Sequence, residues 1–565
     1  MGNVMLLILT AAAVAFALFL LDAYRTKKAE KKFMRSLYED GGRLIEKEYA
    51  PERFVRIGSY FLRHPSPGQL DDITWNDLGM DDIFKRMNYT LSASGEEYLY
   101  YVLRTLRQEE GELLHLEEVV QFFAEHPDER VKVQLQMNNL GHTGKFSLYD
   151  YLDNLDYLGD RSNRKSLIQD FLFLPFTAML WINFPMGIIG LVALAVYNII
   201  TYFKEKSEID PYITSFAYIM RLLDVCGELE KVQASVCGKE WEEIRLHRKA
   251  MQAMRRNSFW VMDPGRGQSS GNILETLLDY VRMIFHVDLL KFNTMLKHLR
   301  GHIEDVDALI GIVGFLETAI AVGLFRGSLT EGYCLPVFGE ENGLSMEEGY
   351  HPLLSRPVKN GIRAQRGVLL TGSNASGKST FLKTVAVNAV FAQTIHTCAA
   401  ESFHSAFYQV YSSMALRDDL ASGESYYMVE IKALKRILDT VKEGGRVLCF
   451  VDEVLRGTNT VERIAASTQI LKSLRMSRTL CFAATHDIEL TRLLEEEYDN
   501  YHFSEEVRDG DVMFDYKLQV GRADTRNAIR LLELMGYDKG IIEEAHRQAE
   551  LFMETGEWGQ EGSYA

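Results

Sequence analysis

The stretch Gly372-Ser373-Asn374-Ala375-Ser376-Gly377-Lys378-Ser379-Thr380 constrains the chain more than any other. An apolar run, Gly367-Val368-Leu369-Leu370-Thr371, leads into it, and a helical-looking segment from Phe381 to Gln393 leads out. Strand, glycine loop and helix follow in that order, and the G-x-x-x-x-G-K-[ST] pattern is filled at Gly372, Gly377, Lys378 and Ser379. Glycines let backbone N–H groups close around phosphates, and the helix N-terminus adds partial positive charge behind them. The nine residues from Gly372 to Thr380 are therefore the candidate ATP cradle, with Lys378 reaching the β- and γ-phosphates and the Ser379 hydroxyl coordinating Mg²⁺.

Two further apolar runs fit the same sheet. Val447-Leu448-Cys449-Phe450-Val451 ends in Asp452-Glu453, as a buried parallel strand delivering carboxylates to its C-terminal edge does. Asp452 is the candidate for the Mg²⁺ shell and Glu453 for the group that orients or deprotonates the attacking water. The plain alternative is a strand ending in two solvated acids. Thr479-Leu480-Cys481-Phe482-Ala483-Ala484 ends at Thr485-His486-Asp487, where a histidine can sense a γ-phosphate or serve a structural role.

Four ordered segments now carry a family resemblance. They are Gly372–Thr380, Asp418–Glu430 (DDLASGESYYMVE), Asp452-Glu453-Val454-Leu455-Arg456-Gly457-Thr458 and Ala484-Thr485-His486. In order and spacing they resemble the glycine loop, signature segment, Mg²⁺-binding strand with its D-loop, and switch histidine of the MutS mismatch-repair ATPases. The likeness extends upstream through Tyr350-His351-Pro352-Leu353-Leu354. Downstream it reaches a helix–turn–helix end, Asn527 to Phe552, broken at Gly536-Tyr537-Asp538. A looser block, Leu70–Leu78 and Met87–Arg104, is similar to the start of that family's helical core and lever. The resemblance implies a head-to-tail dimer in which Ser425 completes the partner's ATP site. The residue-level alternative for Ser425 is an N-cap before Ile431-Lys432-Ala433-Leu434. It also implies that Glu453, His486 and Ser425 are the catalytic set. The chain departs from the pattern at Glu401, at Asn459 in the D-loop, and at Pro357-Val358, where an adenine-stacking aromatic is usual. The mismatch-reading domain and connector normally precede the helical core, but 48 residues separate Leu21 from Leu70. Phe338-Gly339-Glu340 imitates a mismatch wedge, yet its position before the ATPase domain points to packing.

Val4 to Leu21 is an uncharged apolar run of 18 residues, long enough to cross a bilayer at about 1.5 Å per residue. Arg25, Lys27, Lys28, Lys31, Lys32 and Arg35 follow it, which places the rest of the chain on the cytoplasmic side. A second uncharged run, Phe171 to Phe203, holds 33 residues with a turn signal at Asn183-Phe184-Pro185. Arg161, Arg164 and Lys165 precede it, and Lys204 and Lys206 follow. Both flanks thus read as cytoplasmic, and two short spans in a hairpin fit better than one. A buried soluble hairpin is the alternative.

The remainder reads as helix: Glu110 to His126, Ile213 to Val236, Ile273 to Leu299 and Val306 to Leu324 all show apolar spacing of three and four. The formal charge of −17 disfavours a broad phosphate-binding surface. The densest basic stretch, Arg245, His247, Arg248, Lys249, Arg255 and Arg256, offers a local one for DNA backbone, for anionic lipid, or as a solvated helix face. Six scattered cysteines read as reduced core residues.

The expected fold is an α/β P-loop ATPase domain of ABC type with a mixed sheet, C-terminal to a mostly α-helical core and lever domain, with about three transmembrane helices. The expected partition is an anchor over 1–24, helical core over 25–166, a transmembrane hairpin over 167–204, and the second part of the core over 205–330. An ATPase domain over 331–553 and a disordered tail over 554–565 complete it. The expected activity is Mg²⁺-dependent ATP hydrolysis in a homodimer at the cell membrane, with DNA held through Arg245, Arg248, Lys249, Arg255 and Arg256. A membrane scaffold gated by ATP, with no nucleic-acid role, is the competing expectation.

Overall fold

A computed structural model describes residues 24–555, apart from 26, 40–46, 145, 258–279, 374, 375, 415–425, 456, 457, 476, 477, 509, 510, 524–528, 530, 531 and 534. The run Val4–Leu21, expected as the first span, lies outside the described residues, as do Asn374, Ala375 and Ser425. The chain forms two compact units, and neither is continuous in sequence. The first comprises Met1–Pro65, Met87–Tyr101 and Glu117–Ser328; the second comprises Ser66–Arg86, Val102–Leu116 and Leu329–Ala565.

The first unit is helical. At its centre is Ile303–Gly327, which is apolar on every face and buried almost throughout from Val306 to Phe325. A helix hydrophobic all round belongs in a core or a membrane. This one is core, since 72% of its most apolar window is buried. Pro127–Leu140, Gly238–Ala250 and the distal half of Phe184–Leu229 pack around it. Phe184–Leu229 runs 46 residues and passes through Pro211, where spacing predicts separate segments. Its proximal half behaves differently: only 22% of its apolar window is buried. That half packs antiparallel on the 10-residue helix Phe173–Ile182, the chain reversing at Asn183, whose Oδ1 accepts from Met186 N at 3.3 Å. The first arm is about 15 Å long at 1.5 Å per residue, against a hydrocarbon core of about 30 Å.

Two sheets build the second unit. The smaller has strand order β1-β5-β2-β3, from Val337–Phe338 (β1), Leu344–Gly349 (β2), Asn360–Ala364 (β3) and Ser402–Ser405 (β5). The larger has order β10-β9-β4-β8-β7-β6, from Gly367–Thr371 (β4), Gln409–Ser413 (β6), Val447–Asp452 (β7), Thr479–Ala484 (β8), Tyr498–Arg508 (β9) and Asp511–Val520 (β10). All neighbours in it are parallel except β9 and β10. β7 and β8 are buried at every position, the expected state for central parallel strands. Register aligns Asp452 with Ala484 and Leu370 with Ala484, so β4, β7 and β8 end at one level. The helix Lys378–Ile395 is buried on nearly all sides against β2, β6, β7 and β8.

The segment Ser66–Arg86 finishes the β6 edge. Its helix Asp72–Asp77 carries Asp77, buried, which accepts from Ser412 Oγ at 2.7 Å and Met414 N at 2.9 Å. Thr74 Oγ1 accepts from Ser412 N at 3.1 Å. An edge strand's unpaired donors are thus capped by side chains from far upstream. At the C-terminus, helix Lys539–Thr555 follows a turn at Gly536, whereas most of the preceding helix expected from Asn527 lies outside the described residues.

Candidate active site

Past the level end of β4, the chain turns at Gly372 and again at Gly377, with φ of 144° and 105°. Both conformations suit glycine. A Cβ at Gly372 would stand 2.9 Å from the Phe503 carbonyl and 2.9 Å from Ser376 Oγ, so a side chain there would close the turn. Ser376 Oγ is buried and has no hydrogen-bond partner among the described residues. An orphaned buried hydroxyl inside a glycine turn at a helix N-terminus fits a phosphate oxygen. Lys378, on the first turn of its helix, donates from Nζ to the carbonyls of Gly372 and Ser373, both at 2.8 Å.

The ends of β7 and β8 supply the rest. Ser379 donates from Oγ to Asp452 Oδ2 at 2.5 Å, so hydroxyl and carboxylate, the oxygen donors that suit Mg²⁺, stand together. Glu453 sits in the left-handed region at φ 59°, held there as its N–H donates to the Ala484 carbonyl at 2.9 Å. Its Oε1 accepts from His486 Nε2 at 2.8 Å, and His486 Nε2 lies 3.5 Å from Lys378 Nζ. Backbone strain of this kind gathers at functional positions.

Neighbours whose structural parts the sequence did not show hold these groups. Glu430, buried on the helix Tyr426–Lys442, accepts from Leu455 N at 2.5 Å and fixes the turn after Glu453, where Leu455 also has φ 59°. Arg463, on Thr460–Ser473, grips Asp487 with two bonds of 2.9 and 2.6 Å and so braces the loop bearing His486. Asn459, the departure noted in the D-loop, N-caps that same helix by accepting from Val461 N at 3.0 Å.

A cavity of about 650 Å³ opens over the loop, lined by Ser376 to Phe381, Glu453 and His486. His351, Leu354, Val358, Asn360, Phe503 and Tyr516 also line it. Burial and the neighbouring Lys383 push His351 down to about 4, so it is a neutral imidazole at cellular pH. Tyr516 occupies the left-handed region at φ 54°, at a register irregularity of β10. Asn360 fixes it there, donating from Nδ2 to the Tyr516 carbonyl at 2.9 Å and accepting from Leu518 N at 2.8 Å. Its ring lies 3.2 Å from where a Gly377 Cβ would be. An aromatic therefore does face this cavity, from β10 instead of Pro357-Val358.

Other expected residues stand elsewhere. Arg248 donates to Glu230 Oε1 at 3.0 Å and to the Leu223 carbonyl at 3.2 Å, and is committed within its own unit, whereas Arg245 and Lys249 on Gly238–Ala250 are exposed. The side chains of Arg255 and Arg256, on Gln252–Asn257, lie outside the described residues. Phe338 stacks on Phe407 with centroids 4.0 Å apart, which is packing. All six cysteines are free thiols, five of them buried.

Residues 368–553 match the family described as MutS domain V. The DNA mismatch repair protein MutS of Thermus thermophilus is 32% identical over 234 residues, 40% of this chain and 28% of that protein. Its counterpart in Halalkalibacterium halodurans is 30% identical over 267 residues, 45% of this chain and 30% of that protein. The chain thus spans under a third of the length of the curated relatives it matches.

Proposed function

We propose, for a chain that belongs to the MutS family through residues 368–553, a Mg²⁺-dependent ATPase activity that hydrolyses ATP to ADP and phosphate. One observation carries the reading: Ser376 to Thr380, Glu453 and His486 line one cavity at the C-terminal edge of a parallel sheet, and Asp452 accepts a hydrogen bond from Ser379 beside it. Lys378 and the loop N–H groups would bind the β- and γ-phosphates. Ser379 and Asp452 would hold Mg²⁺, which when bound neutralises charge on the phosphate oxygens. Glu453 would orient the attacking water and take its proton, with His486 fixing the carboxylate and meeting the γ-phosphate side. Tyr516, His351 and Val358 would flank the base. Ser425 would enter the partner's site in a homodimer formed through the ATPase domains, coupling nucleotide state to opening and closing of the helical units.

The relatives' printed names concern DNA mismatch repair, and DNA is the proposed partner here, with Arg245 and Lys249 as the exposed cations of the described basic stretch. A cell-membrane location with the ATPase unit on the cytoplasmic side is proposed with it. The competing reading, an ATP-gated membrane scaffold, draws support from Arg248 being engaged internally and from the exposed apolar hairpin. The test is ATP turnover of the full-length protein in nanodiscs with and without branched or mismatched duplex. Stimulation that fades with salt, as released counterions require, supports the DNA reading. Turnover indifferent to DNA at every salt favours the scaffold, and absence of turnover overturns the ATPase.

A further inference from the structure

The hairpin of Phe173–Ile182 and Phe184–Leu229 closes through glycine. Cβ atoms added at Gly187 and Gly190 would stand 2.8 Å from Leu180 and 2.2 Å from the Phe176 ring, so the arms touch where only hydrogen fits. Towards its base the zipper continues with charge: Lys165 pairs with Glu205 at 3.7 Å, and Arg161 pairs with Glu208. Between base and tip, only Gly187, Leu194, Asn198 and Tyr202 of residues 171–203 are buried. Outward-facing side chains surround both arms, among them Leu174, Ile189, Val192 and Val196, and the tip carries Trp181 and Ile182 at 83% and 84% exposure. Apolar surface on every side of a protruding hairpin exceeds what a water-facing surface carries. The charged, ion-paired base and the uncharged shaft match the headgroup layer and the acyl chains in turn.

Length decides how deep it goes. The shorter arm has 12 uncharged residues from Phe171 to Ile182, about 18 Å of helix against a hydrocarbon core of about 30 Å. On the longer arm, buried polar groups begin at Asn198, whose Nδ2 donates to the Ile284 carbonyl at 2.8 Å. Tyr202 and Lys206 follow, both bonded to Asp288 at 2.8 and 2.7 Å. Both arms therefore turn polar well before a full crossing, and the tip Asn183 has its Oδ1 used by Met186 N.

Resting on the membrane location proposed above, we infer that residues 171–203 form a half-depth hairpin. It enters one leaflet from the cytoplasmic side, ends near the bilayer midplane and returns to the side it came from. Its occupant is lipid acyl chain, and it fixes the helical unit to the bilayer without crossing it.

Trp181 reports the depth directly. Full-length protein in nanodiscs containing phosphatidylglycerol, with acyl chains brominated at shallow, middle or deep positions, is compared with the Trp181→Phe variant; the difference isolates Trp181 emission. The residue is 83% exposed, so its loss leaves the packing intact. The expected result is quenching strongest with the deepest bromines, several-fold over the shallow ones, and no quenching by aqueous iodide. Strongest quenching at shallow positions places the tip at an interface and overturns the half-depth insertion while leaving a membrane location standing. No quenching at any depth, whether a second copy or another segment covers the hairpin, overturns the insertion and removes the hairpin's support for that location.

Discussion

In the proposed mechanism Lys378 binds phosphate and Glu453 activates water, so their variants should separate binding from hydrolysis. Lys378→Ala removes the ammonium that pairs with phosphates and should lower ATP affinity beyond detection in a nucleotide-binding assay. Glu453→Gln keeps the cradle and should bind ATP normally while phosphate release falls by roughly 10²–10⁴-fold, the usual worth of a positioned base. Hydrolysis at the parental rate would remove Glu453 from that role. Their candidacy was legible because each sits in a short local pattern, the lysine inside the glycine loop and the carboxylate at the end of an apolar run. Tyr516, Arg463 and Glu430 were not singled out for the parts they play, since each acts on a residue brought near only by folding. A tyrosine in a strand pattern carries no mark that β10 will turn it over Gly377.

Among the elements, Ile303–Gly327 joins packing to charge. Its Glu317, fully buried, accepts from Leu91 N, from Ser92 N at 3.1 Å and from Ser92 Oγ at 2.5 Å, at the start of the helix Ala93–Arg104. A carboxylate there meets the positive end of that helix. Gly95 leaves the room, as a Cβ would come within 1.9 Å of Glu317 Oε2. Burial pushes Glu317 up from 4.5 to about 7, with its hydrogen bonds and Lys47 opposing. The folded protein therefore holds a proton between pH 4.5 and about 7 that the unfolded chain has released. Glu317's contribution to stability is full below 4.5 and is lost as pH rises through 7. Urea unfolding of the parent and of Glu317→Gln should diverge across that window by an amount on the order of 3 kcal/mol, the variant gaining relative to the parent. A difference constant with pH would refute it. Periodicity located the helices but not their ends. The segment up to Phe203 and the helix expected from Ile213 are one helix, Phe184–Leu229, which continues through Pro211 with its distal half buried.

At the scale of the assembled molecule, the dimer is tested by complementation. Ser425→Arg and Lys378→Ala proteins, each inactive alone, should on mixing regain a fraction of parental turnover. Each mixed dimer then has one site with an intact loop facing an intact serine. No recovery in verified mixed dimers would place Ser425 outside the partner's site. The order of the motifs pointed to a MutS-type domain, matched over residues 368–553, but not to Ser66–Arg86 belonging to the same unit, since no local pattern says which sheet edge a short helix will cap. That arrangement has a consequence for synthesis. Asp77 leaves the ribosome 335 residues before Ser412, the hydroxyl it must meet. At about 5–20 residues per second, this early fragment waits roughly 15–70 s for its strand, leaving buried-side groups open to chaperones while the first unit is still being made. A release of the nascent chain before β6 would strand that fragment without a fold to join.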